Sequence, residues 1–153
     1  VTKRLIQIAG HRPGIGITLT DDVKVKPKVP IKVDPGQVGG PSGGLMFSLQ
    51  IYSQLTNRNL RHGQKVAGTG TIDADGNVGE FGGIDKKVIA AKRNGAKVFL
   101  APYLKPTKLI LKYEPGHQTN YQLAKQTAKK YAPNMKVIPV ATFDQAVSAL
   151  SKE

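Results

Sequence analysis

Ser42 stands in Gly39-Gly40-Pro41-Ser42-Gly43-Gly44, directly ahead of the apolar run Leu45-Met46-Phe47-Ser48-Leu49. Pro41 holds its own φ near the helical value and biases Gly40 toward extended backbone, so a helix is expected to start here. Ser42 then lies at or beside a helix N-terminus, where unpaired N–H groups and the dipole favour negative charge. The surrounding glycines let another chain approach the backbone closely. This setting suits a serine nucleophile beside an oxyanion site, with Gly40, Pro41 and Gly43 shaping the turn. Seen alone, the segment reads first as a capped helix start, because serine is a preferred N-cap. A phosphate cradle of the P-loop kind would need a Gly-Lys-Ser/Thr ending, which is absent.

A second chemical candidate is Lys87. At about 100° per residue, Ile84, Val88 and Ala91 define one apolar helix face, and Lys87 falls about 60° from the Ile84 direction. Lys86 and Arg93 point nearly opposite, while Lys92 borders the face from its other edge. A lysine on the core side either snorkels its stem along apolar neighbours or is used for a perturbed pKa. Periodicity does not choose between these. Other catalytic sets are thinner: His11, His62 and His117 fall in expected loops without metal-ligand spacing. Asp73 and Asp75 read as turn residues rather than as a glycosidase pair.

These residues need elements to hold them. The chain has 153 residues, the size of one domain, and no run of about 18 apolar residues that could span a membrane. The fragment itself is expected to be soluble, and Val1-Thr2-Lys3-Arg4 starts abruptly, as an excised piece would. Cysteine is absent, which excludes disulfides and thiolate chemistry. The net charge of +13 raises nucleic acid or an anionic surface as a partner. The lysines are scattered along the chain, however, and stacking aromatics are few, so solvated basic surface is the default reading.

Leu5 to Ile8 reads as a short strand ended by Gly10 to Gly14, and Ile15 to Thr20 as a second strand. Lys24 to Val33 alternates like an exposed edge strand, given Pro27 and Pro30. From Leu45 to about Leu55 apolar residues surround most of a helix, which implies a buried one. Val66 to Ile72 reads as a strand, Asp73 to Asn77 as a hairpin turn, and Val78 to Phe81 as the return. A helix from Ile84 to Asn94 closes at Gly95, and a buried strand follows over 97–101. Residues 103–118 read as irregular. A helix over 120–131, a strand over 136–140 and a final helix capped by Thr142 with Gln145 complete a mixed α/β (α+β) domain.

Three segments together carry a resemblance: Gly-Gly-Pro-Ser-Gly-Gly-Leu-Met-Phe at 39–47, Ala-Gly-Thr-Gly-Thr-Ile at 67–72 and Gly-Gly-Ile-Asp-Lys-Lys-Val-Ile-Ala-Ala at 82–91. In order and spacing they closely resemble the Lon-type Ser-Lys protease domain, and the similarity runs on to Phe-Leu-Ala-Pro at 99–102. The chain looks closest to the membrane-anchored, PDZ-containing Lon-like proteases of Gram-positive bacteria. That resemblance implies a fold similar to the second domain of a small-subunit ribosomal protein, with residues 1–12 the tail of a PDZ domain or linker and 13–153 the proteolytic domain. It matches Ser42 to the family nucleophile, Lys87 to the general base and Thr69 to the threonine that orients the lysine. Gly39 stands where ATP-dependent relatives commonly carry an acidic residue, so the resemblance implies a serine endopeptidase of the ATP-independent branch. No Walker sequence is present, so these residues are not expected to hydrolyse ATP themselves. Gly43 replaces the usual alanine, which loosens the turn. No metal or cofactor is expected. The implied partner is a peptide or protein substrate rather than nucleic acid, with homo-oligomerisation left open and the full-length protein at the outer face of the cell membrane. The competing reading is a catalytically silent basic module that binds nucleic acid or another anionic polymer. A domain of this family that binds peptides without cleaving them is a third.

Overall fold

The computed structural model describes residues 6–8, 12–14, 28–36, 39–113 and 115–152. It divides into two compact units, 1–32 and 33–153. In the first, β1 (Ile6–Ile8) pairs antiparallel with β2 (Arg12–Gly14), with Ile6 opposite Gly14. A strand over 12–14 therefore replaces part of the expected loop. The expected strand at Ile15 to Thr20 lies outside the described residues. Residues 28–33 do not form the edge strand that their alternation suggests. Pro30 has no N–H to give a ladder, and Val29, Ile31 and Val33 are all exposed.

The second unit is built on a parallel sheet of order β3-β6-β7: β3 (Val66–Gly68), β6 (Val98–Pro102) and β7 (Lys136–Val140). Every residue of β6 is buried, as expected for a central parallel strand covered on both faces. Its side chains alternate between two cores. Val98 and Leu100 join Leu45, Leu49, Val140 and Leu150 beneath α1 (Gly44–Thr56) and α5 (Phe143–Leu150). Phe99 and Ala101 join Ile84, Val88, Ala124 and Ala128 beneath α2 (Ile84–Arg93) and α4 (Asn120–Tyr131).

Local chemistry sets the element ends. α2 stops in a Schellman motif: the Gly95 N–H donates to Lys92 O (2.9 Å) and the Ala96 N–H to Ala91 O (3.0 Å), with Gly95 at φ 76°. α4 opens with a full capping box between Thr119 and Gln122. At α5 the box is half made. Thr142 caps the Gln145 N–H, but the Gln145 side chain accepts from Ala141. Asp73 binds the N–H groups of Asp75 and Asn77 and closes the hairpin of β4 (Thr71–Ile72) and β5 (Val78–Gly79).

Three further expectations are revised. α1 buries only Leu45 and Leu49 fully, and Leu55 is 54% exposed, so the helix packs on one side instead of all round. Within 103–118 the structure contains α3 (Lys108–Tyr113) and a 3-10 turn at Pro115–His117. Six residues are too few for periodicity to reveal a helix. The expected strand Val66 to Ile72 breaks after Gly68, where Gly70 takes φ 149°. Gly68 itself tolerates no larger residue: a Cβ there would sit 2.8 Å from Met46 Sδ and 2.9 Å from Leu100 Cβ. Gly68→Ala should lower stability by about 1–3 kcal/mol through overpacking. Urea unfolding reads this directly, and an unchanged midpoint would contradict it.

Candidate active site

Ser42 occupies the middle of a 3-10 turn, Pro41–Gly43, that runs into α1. Pro41 is the first residue of the turn, as its fixed φ favours. Gly40 is extended in ψ (159°) but takes φ 88°, a combination open to glycine and costly for other residues. The N-cap reading of Ser42 does not hold, because Gly43 holds the N-cap position of α1 and no side chain caps it. The half-buried serine is tethered by its backbone. Its carbonyl accepts from the Gly70 N–H (2.9 Å) and from Thr69 Oγ1 (3.1 Å), and the Leu45 N–H donates back to Gly70 O (3.1 Å). The break after β3 thus exists to grip the start of α1. The approach is close: a Cβ on Gly44 would lie 3.1 Å from Ile72 Cγ2.

Lys87 leaves the first turn of α2, whose N-cap Gly83 has φ 76°. Ile84, Val88 and Ala91 are buried, as the helical spacing requires, while Lys86 and Lys92 are exposed. The Lys87 side chain does not snorkel outward. Nζ donates to Thr69 Oγ1 at 3.0 Å and lies 5.2 Å from the centre of the Phe81 ring. Thr69, only 2% exposed, passes the contact on to the Ser42 carbonyl. Burial pushes the Lys87 amine below its ordinary 10.5, since leaving water penalises the charged form. Ser42, Thr69 and Lys87 line one cavity of about 370 Å³, floored by Ala67, Ala91 and Phe99. Gly43 also lines it, whereas Gly40 and Pro41 act through the backbone of the turn.

The remaining candidates lie elsewhere. His62 and His117 are exposed, and His117 bonds the Leu111 carbonyl through Nδ1 (2.8 Å). His11 lies outside the described residues. Among the described residues no group of His, Cys, Asp or Glu could hold a metal ion. A larger cleft of about 460 Å³ lies over the Asp73–Asn77 turn and contains none of the three site residues.

Sequence reasoning missed the support beneath Lys87. The Asn120 N–H donates to Glu80 Oε1 (2.8 Å), and the Phe81 N–H donates to Asn120 Oδ1 (3.0 Å). This reciprocal pair fixes the loop between β5 and α2, and so places Phe81 against the lysine. The Thr119–Gln122 capping signal could have located the start of α4, but no local pattern reports a partner forty residues away.

Against this geometry, the family model of the Lon protease (S16) C-terminal proteolytic domain matches residues 10–113. The chain belongs to this family. Among its relatives, the Lon protease of Fusobacterium nucleatum is 43% identical over 63 residues, 41% of this chain and 8% of the relative. The Lon protease of Rickettsia bellii is 30% identical over 115 residues, 74% of this chain and 13% of the relative. Lon protease 2 of Desulfotalea psychrophila is 34% identical over 88 residues, 56% of this chain and 11% of the relative. The matched stretch therefore spans about a tenth of these Lon proteins.

In this Lon domain Asn120 is 6% exposed. Asn120→Ala should leave the Phe81 N–H without its acceptor, with a stability loss of about 1–3 kcal/mol in urea unfolding. A loss within error of zero would show that the loop does not depend on this bond.

Proposed function

We propose that this Lon domain is a serine endopeptidase that works through Ser42 and Lys87. One observation carries the reading: the Lys87 amine is turned inward onto Thr69, which holds the Ser42 backbone, inside a shared cavity. An ordinary lysine is almost wholly protonated at neutral pH and cannot act as a base. The downward shift from burial is in the direction that general-base work needs. In the proposed cycle, neutral Lys87 takes the proton of Ser42 Oγ as that oxygen bonds the scissile carbonyl carbon. The C–N bond then breaks, and the Lys87 ammonium protonates the leaving amine. Water hydrolyses the acyl-enzyme by the same proton route. Backbone N–H groups around Ser42 would hold the oxyanion. Thr69 orients the amine.

ATP independence is part of the proposal, supported by Gly39, which stands where ATP-dependent relatives commonly carry an acidic residue. The sequence resemblance also supports peptide or protein substrates and a membrane-anchored, PDZ-containing parent at the outer face of the cell membrane. In that parent, residues 13–153 would form the proteolytic domain and 1–12 the tail or linker before it. No helix among the described residues is long and apolar enough to cross a membrane.

Ser42→Ala and Lys87→Ala should each lower peptide cleavage by at least about 10²-fold with the fold intact. Cleavage retained in either variant would defeat the dyad. Thr69→Val, which keeps shape and deletes the hydroxyl, should cost about 10²-fold in kcat by misplacing the amine.

The pH dependence has a definite sign. Cleavage should rise with pH as Lys87 deprotonates, with its midpoint below 10.5. Between the lowered folded value and 10.5 the unfolded chain binds the extra proton, so stability should gain with pH relative to Lys87→Met. A flat difference between the two proteins across that range would contradict the shift.

A further inference from the structure

Among residues 39–152 one end of the sheet gathers a cluster of cations, while Lys86 and Lys87 lie with Asp85 at the start of α2. At the edge where the parallel strands begin, the Lys97 N–H donates to Lys65 O (2.9 Å) and the Lys136 N–H to Lys97 O (2.8 Å). Three neighbouring strands are thus headed by lysines in one row, spaced by the strand separation of about 4.8 Å. α2 and α4 finish at the same edge with Lys92 and Arg93, and with Lys129 and Lys130. A cleft of about 200 Å³ joins the two helix ends, walled by Lys92, Lys97 and residues 132–135. Arg61, beyond the end of α1, shares a groove with Val66 and Leu150, which brings the ends of α1 and α5 to this edge too. All these cations are exposed.

The five described acids of residues 39–152 lie at the other end. Asp73, Asp75 and Asp144 line the cleft over the hairpin, Asp85 sits in the first turn of α2, and Glu80 meets the first N–H of α4. The helix dipole accounts for cations in a last helical turn. It does not account for the row that heads the strands. The same edge carries Leu55 (54% exposed) and Tyr131 (44% exposed), with Lys130 Nζ 4.9 Å from the centre of the Tyr131 ring.

We propose that this edge is the surface by which the domain rests on an anionic lipid bilayer. Clustered lysines, each a compact point charge, suit a diffuse layer of headgroup charge, and an exposed leucine and tyrosine suit the interfacial zone. A single exposed tyrosine is a poor stacking platform for single-stranded nucleic acid.

The test uses the 153-residue chain and co-sedimentation with vesicles of phosphatidylcholine, alone or mixed with phosphatidylglycerol. Binding is expected only with phosphatidylglycerol and should be lost at high salt. Lys92→Gln/Lys97→Gln/Lys129→Gln should weaken it by about a hundred-fold, from the usual contribution per lysine near a charged surface. Lys129→Gln/Lys130→Gln, a smaller change, should weaken it by about thirtyfold. Lys86→Gln/Lys105→Gln/Lys108→Gln, changed elsewhere, should weaken it by clearly less than the first triple. Ser42→Ala should bind as the unchanged protein does, so loss of the hydrolytic reading leaves this one standing. No binding to phosphatidylglycerol vesicles, or equal losses in both triples, would overturn the proposal. So would a single-stranded oligonucleotide that binds more tightly through the same lysines.

Discussion

The carbonyl of Ser42 is the point on which this domain turns. It receives the Gly70 N–H and the Thr69 hydroxyl, and the same threonine receives the Lys87 amine. Three segments distant in sequence meet there: the turn before α1, the break after β3 and the first turn of α2. Each would be unremarkable alone. A backbone acceptor with two good donors fixes the serine's position without using its side chain, which leaves Oγ for chemistry. The half-buried amine, held by a neutral hydroxyl and faced by an aromatic ring, sits where water solvates its charge poorly.

The parallel sheet explains why the site forms where it does. In such sheets the helices start beyond the carboxyl ends of the strands, and ligands gather there. Thr69 directly follows β3, and Ser42 and Lys87 lie at or near the starts of two helices that cover opposite faces of the sheet. β6, buried on both faces, is the floor on which both halves are registered. Gly68 permits the close packing of β3 against β6 and Met46, and Gly70 permits the turn back to Ser42. Small residues here set distances that larger ones would spoil.

Much of this was legible in the chain because the signals are local. The period of Ile84, Val88 and Ala91 placed α2 and put Lys87 toward the core side. Pro41 marked the start of the turn, and Gly95 marked the end of α2. The helix over 120–131 and the strand over 136–140 match the structure residue for residue. What stayed hidden depends on distant partners. The bonds among Glu80, Phe81 and Asn120 join positions with no common pattern. The break in Val66 to Ile72 looks like continuous strand until Gly70 meets Ser42. α3 is too short to show a period, and the alternation before Val33 suggests a strand that residues 28–33 do not form. Nor could spacing alone choose between a snorkelling and an inward Lys87. That choice rests on Thr69, whose hydroxyl gives the amine a partner inside.

The chemistry depends on the protonation of that amine. NMR titration of the lysine side chains in Ser42→Ala, with Lys87 assigned by its loss in Lys87→Arg, measures it without relying on any substrate. The Lys87 resonance is expected to titrate below 10.5 and to move back up in Phe81→Ala, where water reaches the amine. A Lys87 resonance that titrates at or above 10.5 would contradict a desolvated amine.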